Sequence, residues 1–386
     1  MNKNIIYILA LALIFSACKK DENEEDIPEE EPINWTLMEG TMSYHSGAAM
    51  QLTPDNGIVL TGNLNTNYQV YKTSTGFQET WSVNKGLQAF EEANAVVVTD
   101  NNNYIIAGNS AFGFESRVYV LRLDVSGNIV WSLSYEWSDI SVCHGICKSN
   151  DNKYVLCGHS QDVNNRDSFG DVQAMMINDD GDTLWNRVYE DIGEETAYAI
   201  ASTNDGGFVM TGRDENNNNK DLALIKIDAN GNLIWFNFFG GNTWDEGFYV
   251  IEDQQGNLLA CGMSQSNDSQ VYVVKTNSSG ILIWERTFGR SDRSEKGFCI
   301  QQTSGGYVIS GSQYIVENID DDIYLLKIDN EGNFVWEQTY GGSNSDYGNA
   351  IRVLPDEKLI IAGTTKSNSV DGQIYLLKTD ANGNMQ

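Results

Sequence analysis

The stretch DLALIKIDANGNLIWFNFFGG, Asp221 to Gly241, alternates apolar and polar side chains before and after a break at Asp228-Ala229-Asn230-Gly231-Asn232. Alternation with period two marks a strand with one buried face. The break has turn chemistry, because an Asp carboxylate accepts backbone N–H bonds and Gly supplies a positive φ. A second hairpin precedes it, AYAIASTNDGGFVMTG from Ala197 to Gly212, whose first strand is rich in small residues. Together they predict four short strands in a meander. The pattern returns as DIYLLKIDNEGNFVWEQTYGG (Asp322 to Gly342) and GNAIRVLPDEKLIIAG (Gly348 to Gly363), and no long stretch carries a helical period.

Tryptophan gives the period of the repeat. Trp35, Trp81, Trp131, Trp185, Trp235, Trp284 and Trp336 are separated by 46, 50, 54, 50, 49 and 52 residues, each in the same local setting. Repeats of this length imply supersecondary units that bury their apolar faces against one another. The expected fold is all-β: a seven-bladed β-propeller of four-stranded antiparallel blades spanning residues 34–386. The last copy stops at Gln386 without a fourth strand, while Trp35 to Gly40 matches the fourth-strand pattern at the other end of the chain. The N-terminal strand is therefore expected to close the last blade and cover its open edge. Ala49, Ala95, Gly145, Ala199 and Ala350 mark the crowded inner position, with Tyr249 and Cys299 as larger exceptions.

The third-strand cations Lys72, Arg122, Lys226, Lys275, Lys327 and Lys378 recur too regularly for a private binding site. Their expected role is packing, with the stem over apolar surface and the head against a turn carboxylate.

Ahead of the fold lies an address. Residues 1–17 carry a basic Lys3, an apolar run from Ile5 to Phe15 and small residues before Cys18. The run is too short to span a bilayer. The FSAC sequence resembles a lipoprotein signal with Phe15 in place of the usual Leu, which implies cleavage before Cys18 and acylation of that residue. Residues 18–33 form a charged segment expected to be a disordered tether. Its lysine-then-acid run resembles the export signal of Bacteroidota surface lipoproteins, so the expected location is the outer membrane, lipid-anchored and facing the cell surface, with the periplasmic face as the alternative.

The net charge of −30 argues against nucleic acid as a partner, since the surface repels phosphate. After Cys18, five cysteines remain with no CxxC or paired metal spacing; they read as small core residues, a Cys143–Cys157 bridge being the alternative. His144 and His159, with Asp162 or Asp171, are the one candidate metal set.

Binding candidates lie ahead of each inner strand, where a ring of polar residues is expected at the channel mouth: His45, Glu91, Ser141, Glu195, Asp245, Glu295 and Asp346. Tyr44, Phe90 and Trp244 stand beside them, and Trp137 lies in a neighbouring link. Aromatic faces next to carboxylates suit a sugar or a cationic peptide. No GxSxG elbow is present and no carboxylate pair stands out as a glycosidase acid and base.

The DxxGNxxW unit resembles the tryptophan-docking repeat of quinoprotein dehydrogenases and of the outer-membrane assembly lipoprotein BamB, but is one residue shorter and lacks the dehydrogenases' adjacent cysteines. A closer resemblance, carried by DGGFVMTG, DLALIKID and NGNLIW, is to Bacteroidota lipoproteins with DGGYVIxG and DxYLLKxDxxGNxxW propeller repeats. It implies the fold and leaves the activity open. The expected function is a non-enzymatic binding or scaffold lipoprotein for a glycan or an envelope protein, monomeric, without cofactor, touching the membrane only through its lipid. The alternatives are a polysaccharide-degrading enzyme or a BamB-like assembly factor.

Overall fold

The computed structural model describes residues 36–42, 47, 49–87, 90–113, 115–162, 170–189, 195–216, 219–265, 269–315, 320–367, 369 and 371–386. The signal segment, Cys18, the tether, Trp35, Tyr44 and His45 lie outside them.

All regular structure among the described residues is β. The strands form five four-stranded sheets and one eight-stranded sheet. The unit read first from sequence folds as the expected meander: Glu195–Ser202, Phe208–Asn216, Asn219–Ile227 and Leu233–Phe239, each antiparallel to the one before. The eight-stranded sheet holds two such meanders, and the Ile140–Ser116 parallel pair joins them. Thr36–Glu39 pairs antiparallel with Gln373–Thr379, in register from Thr36 opposite Leu376 to Glu39 opposite Gln373. The chain's two ends thus share one sheet.

Consecutive meanders pack face to face through apolar clusters that draw on both partners, as Cys157 and Met176 do with Ile200, Phe208 and Ile225. The first strand of each meander also packs on the first strand of the next, and Met50–Leu52 packs on Asp346–Val353 at the far end of the chain. The repeated tryptophan forms the outer part of this joint. Its indole N–H donates to a turn carbonyl of the following meander: Trp81 to Val125 at 3.1 Å, Trp131 to Asp179 at 3.2 Å, Trp185 to Ala229 at 3.2 Å and Trp235 to Ser278 at 3.3 Å. The Gly of that turn is obligatory for two reasons. Gly231 has φ +77°, and a Cβ there would stand 2.9 Å from the Trp185 ring.

Lys72, Lys226 and Lys275 among the third-strand cations meet turn carboxylates as expected, whereas the Lys327 ammonium donates to the Thr303 hydroxyl. Lys72 lies 2.8 Å from Asp55, Lys226 2.9 Å from Asp205 and Lys275 3.1 Å from Asp253. Arg122 instead reaches Asp179 in the next meander, at 2.7 Å. Cys143, Cys147, Cys157, Cys261 and Cys299 are all buried free thiols, so the core reading holds and the Cys143–Cys157 bridge does not form.

Candidate functional site

Every well-described first strand slips register at the same place. The ladder skips Asn94, His144, Tyr198, Phe248 and Phe298, and in the last repeat it skips Gly348 and Asn349. A bulge leaves its extra residue unpaired and re-aims it. Here the re-aimed side chains meet one another. His144 packs edge-on against Tyr198 at 5.2 Å, Tyr198 against Phe248 at 5.9 Å, and Phe248 tilts on Phe298 at 5.8 Å. The remaining bulge residues are amides: Asn94 donates to the Cys143 carbonyl at 2.8 Å, and Asn349 accepts the Thr364 N–H at 3.2 Å. One arc of the first strands is therefore aromatic and the other is amide.

A cavity of about 450 Å³ opens beside this amide arc, lined by Asn63, Thr66, Phe90, Glu92, Asn94 and His144 among others. Phe90 is 54 % exposed. Phe90 and Glu92 share one face of the strand Phe90–Val98, while Glu91 between them faces the other way and is buried. A second cavity of about 400 Å³ lies where the first strands end, lined by Leu52, Val98, Lys148, Ser202, Tyr249 and Glu252. Tyr249, expected only to be crowded, has its ring shared by the apolar clusters of several meanders, and the buried Arg352 donates to its phenol oxygen at 3.5 Å.

The acidic ring expected at the mouth is turned inward. Glu91 accepts the Leu87 N–H at 2.8 Å, Asp245 the Gly241 N–H at 3.0 Å and Asp346 the Gly342 N–H at 2.8 Å. Ser141 does the same for Trp137 at 3.0 Å. Glu295 accepts the Gln313 amide at 3.0 Å. All five are buried, so they fasten the links between meanders instead of presenting oxygens to a ligand. The physical reason is that each link leaves backbone N–H groups to be satisfied, and an acceptor a turn later in the chain does so. Burial pushes the carboxyls of Asp245 and Asp346 above the usual range, and that of Glu295 to about 7. Glu195 opens its strand at the equivalent place.

The aromatic candidates separate as well. Phe90 lines the cavity beside the amide arc, whereas Trp137 is half-buried and lines another of about 440 Å³ with Arg117 and Glu136. Trp244 is 39 % exposed, but the Lys220 ammonium already stands over its ring, 3.8 Å from the centroid. Of the expected binding residues that the structure describes, Phe90 and Glu91 border the vestibule, and Glu91 is committed to its link. Sequence reasoning missed Glu92 and Asn94; the phase of Phe90 in the alternating pattern was the signal that could have found Glu92.

His144 and His159 do stack, with centroids 5.5 Å apart. Burial, with Arg213 nearby, holds His159 down at about 4. Among the described residues no group of three His, Cys, Asp or Glu side chains is arranged to hold a metal.

No family model matches the chain, and no curated protein matches it by sequence. Solved structures do. The BP39L lectin from Burkholderia pseudomallei aligns over 90 % of this chain and 98 % of its own, with TM-score 0.59 at 9 % identity. The Pan2 WD40 domain of Neurospora crassa aligns over 89 % and 94 %, with TM-score 0.54 at 8 % identity. The periplasmic gluconolactonase PpgL of Pseudomonas aeruginosa aligns over 91 % and 94 %, with TM-score 0.53 at 13 % identity. At such identities the likeness is one of fold, and that fold is the β-propeller.

Proposed function

We propose that this chain is a non-enzymatic binding module that takes a glycan in the vestibule beside Phe90. The observation that carries this reading is the composition of that cavity. It joins an exposed aromatic ring to amide and hydroxyl side chains, Asn63, Thr66 and Asn94. A sugar offers an apolar C–H face to such a ring and hydroxyls to such polar groups. The lectin neighbour has a comparable scaffold, which supports the fold as a platform for this use.

In the same reading the scaffold is a seven-bladed propeller. The eight-stranded sheet counts as two blades, and Thr36–Glu39 is the outer strand of the last one. The lipid on Cys18 holds it to the outer membrane, facing outward. Radiolabelled palmitate is expected to enter the wild-type chain and not a Cys18→Ser variant; equal labelling of both would remove the anchor. For the vestibule, a glycan array probed with the wild-type protein and with Phe90→Ala tests the reading. A sugar signal that drops at least about tenfold in the variant is the expected result. No glycan bound, or one bound equally by both proteins, would place the site elsewhere, and turnover of a bound polysaccharide would make the chain an enzyme.

A further inference from the structure

The vestibule is electrically one-sided. Two glutamates, Glu91 and Glu92, are among its described lining residues, with His144 as the other titratable group and no Lys or Arg among them. Glu91 is engaged with the link at Leu87. Glu92 is half-buried, and among the described residues its carboxylate has no hydrogen-bond or ion-pair partner. Burial pushes its carboxyl above the ordinary range, and no cation among the described residues offsets it. Two buried carboxylates elsewhere in the molecule have cations against them, Arg213 for Glu246 at 2.8 Å and Lys275 for Asp253 at 3.1 Å. An unpartnered carboxylate in a cavity is costly unless a ligand completes it.

The ring beside it suits the same charge. Phe90 lies on the strand face that carries Glu92, two residues away, and is exposed. A cation placed between them gains a charge-assisted hydrogen bond from one and the attraction of a π face from the other. The whole surface, at net −30, also draws cations toward it.

Resting on the glycan reading above, we infer that the vestibule selects sugars bearing a free, protonated amine, with Glu92 as the counter-charge and Phe90 as the platform. Asn63, Thr66 and Asn94 border the remainder of the cavity, where the hydroxyls of the ring belong. An N-acetyl N–H or a plain hydroxyl can donate a hydrogen bond to Glu92, but neither brings the counter-charge that an ammonium does.

Three β-1,4-linked hexasaccharides that differ only at carbon 2 test this directly: glucose, N-acetylglucosamine and glucosamine oligomers, titrated calorimetrically into the wild-type protein, Glu92→Gln and Phe90→Ala. The glucosamine oligomer is expected to bind at least about tenfold tighter than the other two, and Glu92→Gln to erase that preference. Glu92→Gln keeps the side chain's size, and an unchanged unfolding temperature shows that the fold is retained. If that variant unfolds early, Phe90→Ala carries the test, with weaker glucosamine binding expected. Equal binding of all three oligomers overturns the amine selectivity while leaving the glycan reading intact. A preference that survives Glu92→Gln overturns the role of Glu92. Failure of the glucosamine oligomer to bind overturns the inference, whereas the glycan reading itself stands or falls with the array.

Discussion

Where the first strands begin, Asp245, Glu295 and Asp346 are buried among mostly neutral donors, and their carboxyls are pushed upward. At the opposite end, Asp55, Asp205 and Asp253 sit in the turns after the first strands, and theirs are lowered. Burial pulls Asp55 and Asp205 upward too, but hydrogen bonds from Lys72 with Thr53, and from Thr203 with Lys226, outweigh it and bring both to about 2. The same residue type thus serves two constructions. At one end it replaces a missing backbone acceptor, for which charge is incidental; at the other it neutralises a lysine whose stem lies in the blade.

The comparison breaks most sharply at Asp253, the one turn carboxylate of the three that is itself buried. Its partner Lys275 is 8 % exposed, and Tyr307 donates to it at 2.8 Å. Asp253→Ala leaves that ammonium buried without its counter-ion and is expected to cost about 3 kcal/mol in urea unfolding. A loss below about 1 kcal/mol would mean that the lysine has a second way to reach water.

A smaller effect sharpens the contrast through pH. The Glu295 carboxyl titrates near 7 in the fold, above the unfolded value of about 4.3. Folding therefore favours its protonated form. Its contribution is complete below the unfolded value and is lost as pH rises through about 7, on the order of 2 kcal/mol between pH 5 and pH 8. Glu295→Gln should flatten that limb, and an unchanged slope would assign it to another group. Asp55 and Asp205 run the other way: their contribution is present above about pH 4 and is lost as pH falls through about 2. Both are largely exposed, so this acid limb should be the smallest change, under about 1 kcal/mol per pair after solvent screening.

The repeat was legible because its devices are local. Asp228 with Gly231 specifies a turn without reference to anything distant, and Trp185 recurs with its turn because each needs the other's neighbour. The pairing of Thr36–Glu39 with Gln373–Thr379 was readable by counting strands. The site was not readable in the same way. Alternation places Glu92 on the face of Phe90, but that this face opens on a cavity depends on Asn63 and Thr66 of the preceding meander being brought beside it, which no local pattern marks. Trp244 was a sound choice by composition, but Lys220 comes from a neighbouring meander, and only folding brings its ammonium onto the ring. Link-fastening by Asp245 and Asp346 left a trace in the chain: an acceptor four residues after a glycine N–H.

The tryptophan joint has a direction. Among the described residues, each indole from Trp81 to Trp336 meets a glycine turn of the next meander, so the contact is head-to-tail, like the interlocking of bricks in an arch. Such heterologous contacts have no natural stopping point: an array with an open end can accept another array. The pairing of Thr36–Glu39 with Gln373–Thr379 covers the outer edge of the last sheet. A chain trimmed past Glu39 is expected to expose the Gln373–Thr379 edge to its own copies.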